Sequence, residues 1–209
     1  MKTKVYLSFI IIAFILPLNL QGQVLCGVHA GMNLETQAEN GLLWNNCEVS
    51  PGYIAGGTLT YQFKRGISLQ SELNYQRKGV KVVSSLNETN KAVKTSLNYL
   101  SVPLLIKKSV NSPAANGSFE VTFFGGPYVA YLLSAESRKT DSPAEEEAIE
   151  AQEEKYDSGI LLGGGTSYIL NNGSSINVEL RYGMGLAKID KSNTDLRNKS
   201  LGLIIGYFF

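Results

Sequence analysis

The chain of 209 residues predicts an all-β fold, an eight-stranded antiparallel up-and-down transmembrane β-barrel. Three observations carry this expectation. Successive stretches alternate apolar and polar side chains with a period of two, the signature of a strand with two unlike faces. The connections between them run roughly 18, 3, 17, 11, 24, 4 and 12 residues in chain order, the alternation of long outer loops and short periplasmic turns found in outer-membrane barrels. The clearest alternation lies at 175–209. There Ile176, Val178, Leu180, Tyr182, Met184 and Leu186 interleave with Asn177, Glu179, Arg181, Gly183 and Gly185, and a second apolar strand closes on Phe209.

The elements follow in order. Lys2 and Lys4 precede an apolar run at 5–16, ended by Pro17 and a short polar stretch. Twelve residues, all apolar but Ser8, are too few to cross ~30 Å of hydrocarbon as a helix and suit the core of a secretory signal. Cleavage is expected after Gly22, which makes 1–22 a signal peptide and 23–209 the barrel domain; an uncleaved anchor is the alternative. Lipid attachment at Cys26 is disfavoured by Leu25, where a small residue is needed.

Strands are expected near 27–34, 53–63, 67–78, 96–107, 119–133 and 158–170, followed by two within 175–209. Lys64-Arg65-Gly66 and Asn171-Asn172-Gly173 read as tight turns, with Gly where a positive φ is needed. The fourth strand alternates poorly, because Leu97, Tyr99, Leu100, Val102, Leu104, Leu105 and Ile106 occupy both faces, and Pro103 removes a ladder donor, so a bulge or local bend is expected there. Long loops near 35–52, 79–95, 134–157 and 187–198 are expected to face the exterior.

Period alone does not say which face is inside. A secreted lipocalin-like barrel would put the apolar face inward. The transmembrane reading is favoured by the many Gly on the polar face, as a narrow lumen requires, and by Tyr and Phe near strand ends on the apolar face. Without the leader the formal charge is 17 basic against 18 acidic residues, which gives no reason to expect a nucleic-acid partner. The distribution is uneven: 136–157 holds nine acids and three bases.

Gly27-Val28-His29-Ala30-Gly31-Met32-Asn33 and Leu73-Asn74-Tyr75-Gln76-Arg77-Lys78-Gly79 resemble segments of the PorT-like family of outer-membrane β-barrel proteins. Leu97-Asn98-Tyr99-Leu100-Ser101-Val102-Pro103-Leu104-Leu105, Gly125-Gly126-Pro127-Tyr128 and Leu180-Arg181-Tyr182-Gly183-Met184-Gly185-Leu186 continue the resemblance in order. It implies an eight-stranded barrel in the outer membrane of a Gram-negative cell, and an association with protein secretion by analogy with the member that gives the family its name. No catalytic motif carries over.

The chemistry expected is correspondingly spare. His29 is the only histidine, hence the one candidate base for a barrel enzyme acting on lipid A, but its count places it in mid-barrel rather than at the outer rim. Glu145 to Glu147 with Glu150, Glu153 and Glu154 offers oxygen ligands without the spacing of a calcium loop; a solvated surface loop is the plainer expectation. No catalytic, cofactor-binding or metal residues are assigned, and no cofactor is expected. The expected surroundings are outer-membrane lipid and lipopolysaccharide, with other envelope or secretion proteins as further partners.

One polar constellation stands out. His29, Glu72, Glu179 and Arg181 fall on polar faces at similar heights, so a lumen network is expected in which Arg181 pairs with Glu179 and Glu72 reaches from across the barrel. Gln70, Asn74 and Gln76 would satisfy what remains. Cys26, at the periplasmic rim, and Cys47, in the first outer loop, are separated by roughly 20 Å of strand, too far for a disulfide. Thiol labelling of denatured, unreduced protein is expected to find both free; finding neither would contradict this placement of the first strand.

Overall fold

The computed structural model describes residues 23–38, 50–84, 91–111, 119–139, 155–186 and 197–209. The leader, Trp44, Cys47 and the acidic cluster at 145–154 lie outside them. Eight strands pair in sequence into a closed antiparallel barrel: β1 (Gln23–Ala38), β2 (Ser50–Gln62), β3 (Ile67–Ser84), β4 (Lys91–Asn111), β5 (Phe119–Lys139), β6 (Tyr156–Ile169), β7 (Ser175–Gly185) and β8 (Arg197–Phe208). Closure is made by β1 on β8, from Gly27 opposite Phe208 to Ala38 opposite Arg197. It leaves neither terminal strand with a bare edge along that seam.

The faces are inverted relative to a water-soluble barrel. On β7, Val178 and Leu180 point outward, at 39% and 55% exposure, while Asn177, Glu179 and Arg181 are buried inside. The same holds on β1, where Val28 and Met32 are exposed and His29 and Asn33 are enclosed. Apolar side chains displayed outward around a polar interior are stable only in lipid, so the lipocalin-like alternative fails.

Aromatic pairs mark the ends of the apolar belt. Tyr61–Phe63, Phe119–Tyr168 and Tyr207–Phe209 sit at the end that carries the short turns, and Tyr53–Tyr75 and Tyr131–Tyr156 at the other. Phe119 and Tyr131 are twelve residues apart on β5, as are Tyr156 and Tyr168 on β6. At ~3.3 Å per residue and ~40° tilt, this spans roughly 30 Å, close to the hydrocarbon thickness.

The tight turn after β2 is a single 3-10 turn, Lys64–Gly66, in which Arg65 as well as Gly66 takes a positive φ of 67° and 68° respectively. The Lys108 ammonium donates to the Arg65 carbonyl at 2.5 Å and holds this less favourable conformation in place. In the turn after β6, Gly173 has φ 86°, and its amide donates to the Leu170 carbonyl at 3.0 Å.

Two expectations need correction. The strands are longer than the alternation indicated: β3 runs to Ser84, β4 begins at Lys91 and β5 runs to Lys139, so much of the loops expected at 79–95 and 134–157 is sheet. Above the membrane both faces can meet water, and the two-residue signal fades while pairing continues. The bulge lies not at Pro103 but where Asn98 pairs with Ser134 and Tyr99 with Leu132, leaving Leu133 as the extra residue. Pro103 is fully buried and pairs with Tyr128. The poor alternation of the fourth strand has a different cause. Leu97, Tyr99 and Leu105 face the interior while Leu100, Leu104 and Ile106 face lipid, so both faces are apolar there.

Candidate functional site

The interior is organised in two polar clusters, one above the other. The lower is built on the inward positions of β3, β4 and β7. Arg181 donates from Nε and Nη2 to Glu179 Oε2 at 2.9 and 2.6 Å, and from Nη1 and Nη2 to Glu72 Oε2 and Oε1 at 2.7 and 2.9 Å. Its guanidinium fork thus engages Glu72 through both carboxylate oxygens from across the lumen, the geometry in which arginine binds carboxylate best.

The remaining acceptors are taken up locally. Gln70 Nε2 and Asn74 Nδ2 donate to Glu72 at 2.6 and 2.8 Å, each two residues away on the same face of β3. Asn177 Nδ2 donates to Glu179 Oε1 at 2.9 Å. Lys107 Nζ closes the far side, donating to Glu179 Oε1 at 2.7 Å and Gln70 Oε1 at 3.1 Å. Two carboxylates and two cations therefore balance in a space from which water is largely excluded, where an unpaired charge would cost several kcal/mol. Phe124 supplies a wall, its ring centroid 5.1 Å from Lys107 Nζ and 5.6 Å from Arg181 Cζ.

Of the four residues expected in the lumen, Glu72, Glu179 and Arg181 are brought into direct contact. His29 lies beside them, its Nε2 3.8 Å from Glu72 Oε2, beyond hydrogen-bond reach. It sits opposite Gly56 on one neighbouring strand and Gly206 on the other, where the carboxamides of Asn74 and Asn177 come close to the glycine backbone. Gln76 does not join this cluster; it lines a cavity of about 30 Å³ above it with Ile54, Pro103, Tyr128 and Leu161. A second cavity of about 60 Å³ lies below, lined by Thr60, Ser68, Lys107, Thr122, Ser167 and Phe208. Each holds at most a few waters.

The upper cluster was not anticipated. Lys78 Nζ lies 3.1 Å from Asp157 Oδ2 and over the rings of Tyr99 and Tyr128, at 5.1 and 5.8 Å. Glu35 is buried nearby and accepts from Asn33 Nδ2 at 2.7 Å. Around them Leu97, Tyr99, Tyr128 and Ala130 form an apolar cluster inside the barrel. Alternation marks Lys78 as a polar-face residue, but Asp157 falls in the acidic stretch 136–157 expected as a loop, whereas it is the second residue of β6 and faces inward. Lys107 escaped notice because Lys107 and Lys108 are adjacent and alternation could not say which one turns inward.

Lys78→Met would strand Asp157 and Glu35 without their cation. A loss of roughly 3 kcal/mol is expected, partly recovered by adding Asp157→Asn. Heat-dependent electrophoretic mobility in detergent checks this; unchanged unfolding would mean that water, not Lys78, satisfies the carboxylates.

No group of three or more metal-ligating side chains occurs among the described residues. The solved structures this chain resembles share its architecture. The outer membrane protein OprG from Pseudomonas aeruginosa aligns over 90% of this chain and 97% of its own, with 14% identity and a TM-score of 0.54. Neisserial surface protein A aligns over 87% and 95%, with 12% identity and a TM-score of 0.51. At these identities the likeness concerns the fold. A search of curated proteins finds no match. The profile of the outer membrane protein beta-barrel domain matches residues 18–191. With its outward apolar belt, its aromatic girdles and a polar interior closed by β1 on β8, the chain belongs to this outer-membrane β-barrel family and resides in the outer membrane.

Proposed function

We propose that this protein is a non-enzymatic, internally plugged barrel whose outer strands and loops bind a partner or stabilise the envelope. The carrying observation is the Glu72–Arg181–Glu179–Lys107 network, which spans the lumen between two small cavities. A barrel filled this way favours a scaffold over a conduit. His29, the sole histidine, is buried at the level of this network and far from the outer rim where lipid chemistry would take place. That placement supports the non-enzymatic reading.

The resemblance of 97–105 and 180–186 to the PorT-like family favours a second reading, an accessory component of a protein secretion apparatus. Deletion of the gene separates the two. The scaffold reading expects increased sensitivity to detergents with secreted proteins unchanged. Loss of secreted cargo from an otherwise intact envelope would favour the secretion reading instead.

A further inference from the structure

Among the described residues, the exposed cations at the short-turn end of the barrel are gathered at one corner. Lys64 and Arg65 form the turn between β2 and β3, and both are exposed. Lys108 on β4 stands opposite Ile67, the residue that follows this turn. Lys107 beside it turns into the lumen, so Lys108 is on the outward face, between Ile106 and Val110, which are 64% and 54% exposed.

A lysine rooted in a lipid-facing belt carries its ammonium along the surface to the nearest polar boundary. Here the ammonium reaches the turn and donates to the Arg65 carbonyl. A Cβ on Gly66 would lie 2.4 Å from the Ser109 carbonyl oxygen and 3.8 Å from Lys108 Nζ, so the turn is seated on β4 itself. Three cations therefore meet where the apolar belt ends, next to the Tyr61–Phe63 pair. No neighbouring acid offsets them. Among the described residues that flank the corner, 60–68, 108–110 and 119–123, the only acid is Glu120, and it lines the lower lumen cavity.

The turn also carries an unfavourable residue. Two successive positive φ angles suit Asn-Gly or Asp-Gly, yet Arg65 takes the first of them at φ 67°. Asparagine there would relieve the backbone and lose the charge. Like charges brought together at the cost of backbone comfort call for an anion. Its source follows from the level of the corner. Lys108 arrives from the lipid-facing side and the girdle rings lie alongside, which is headgroup depth rather than open periplasm. The leaflet on that side is phospholipid. A zwitterionic headgroup brings an ammonium of its own, so a headgroup with net negative charge fits better.

We propose that Lys64, Arg65 and Lys108 form a binding site for the phosphate headgroup of an anionic phospholipid in the periplasmic leaflet. The site goes beyond the scaffold reading, because it lies at the opposite end from the outer loops and does not depend on the plug. The full barrel in detergent micelles is titrated with dioctanoyl phosphatidylglycerol, with dioctanoyl phosphatidylcholine and with glycerophosphoglycerol, the first headgroup without acyl chains. Native mass spectrometry counts the molecules bound. Wild type is expected to bind phosphatidylglycerol at least tenfold more tightly than either of the others. Each cation near an anionic headgroup contributes about fivefold. Arg65→Gly is therefore expected to weaken binding by about that factor, and K64Q/R65G/K108Q to abolish the preference. Arg65→Gly keeps the barrel folded, since glycine takes the left-handed φ without penalty. Lys155→Gln removes an exposed cation beside the opposite girdle and is expected to leave binding unchanged.

Equal affinity of wild type and Arg65→Gly for phosphatidylglycerol would overturn the proposal, as would equal affinity of wild type for phosphatidylcholine. A loss in Lys155→Gln as large as that in Arg65→Gly would reduce the effect to net charge and overturn it as well. Glycerophosphoglycerol binding as tightly as the lipid would identify a soluble anion instead of the leaflet. Failure of these titrations leaves the plugged scaffold untouched, because conductance in planar bilayers reads that separately.

Discussion

Arg181→Leu is expected to unfold at a temperature well below that of the wild type. The substitution deletes four donor contacts and leaves two buried carboxylates facing one another across the lumen, Glu72 with only Gln70 and Asn74, and Glu179 with Lys107 and Asn177. Removing one partner of a buried ionic cluster costs about 3–5 kcal/mol. For a domain of this size that corresponds to a fall of roughly 10 °C. The leucine itself adds no strain, since it is smaller than arginine, so the loss reports the charge imbalance. Adding Glu72→Gln, which leaves Glu179 paired with Lys107, should return much of the stability. Arg181→Leu protein that unfolds at the wild-type temperature would mean that the network is solvated rather than load-carrying.

Gly163→Ala is the second large effect expected. A Cβ placed on Gly163 would lie 2.4 Å from Phe124 Cζ and 2.5 Å from the Leu180 carbonyl oxygen. The ring could shift, but the carbonyl belongs to the β7 ladder and cannot. Overpacking of this kind costs about 1–3 kcal/mol, and displacement of Phe124 would also disturb the wall behind Lys107 and Arg181. Phe124→Leu in the same background should recover only part of the loss. The adjacent residue supplies the control: a Cβ on Gly164 meets nothing nearer than 3.4 Å, so Gly164→Ala is expected to be tolerated. Equal behaviour of the two variants in heat-dependent mobility would contradict the inward placement of Gly163.

These two sites show what the sequence could and could not disclose. Eight strands and the inward face of β7 follow from alternation because lipid and a narrow lumen impose opposite demands on neighbouring residues. The contact of Arg181 with Glu72, 109 residues away, could be read because counting from the turns gives each residue a height. Lys107, Lys78 and Asp157 could not be placed this way. Lys107 follows an apolar stretch on both faces, and Asp157 is at the top of β6, where alternation has not yet begun. Nor did alternation reveal the outer extensions of β3, β4 and β5, because strands that leave the membrane no longer need one apolar face.

In the proposed scaffold the buried network closes the barrel. Purified wild-type protein inserted into planar lipid bilayers, with insertion verified by antibody or by mass, tests it most directly. The account predicts no steady conductance above the bare bilayer, because Arg181 bridges Glu72 and Glu179 across the lumen and Lys107 fills the space beside them. A large, stable conductance from the folded wild-type barrel would contradict it.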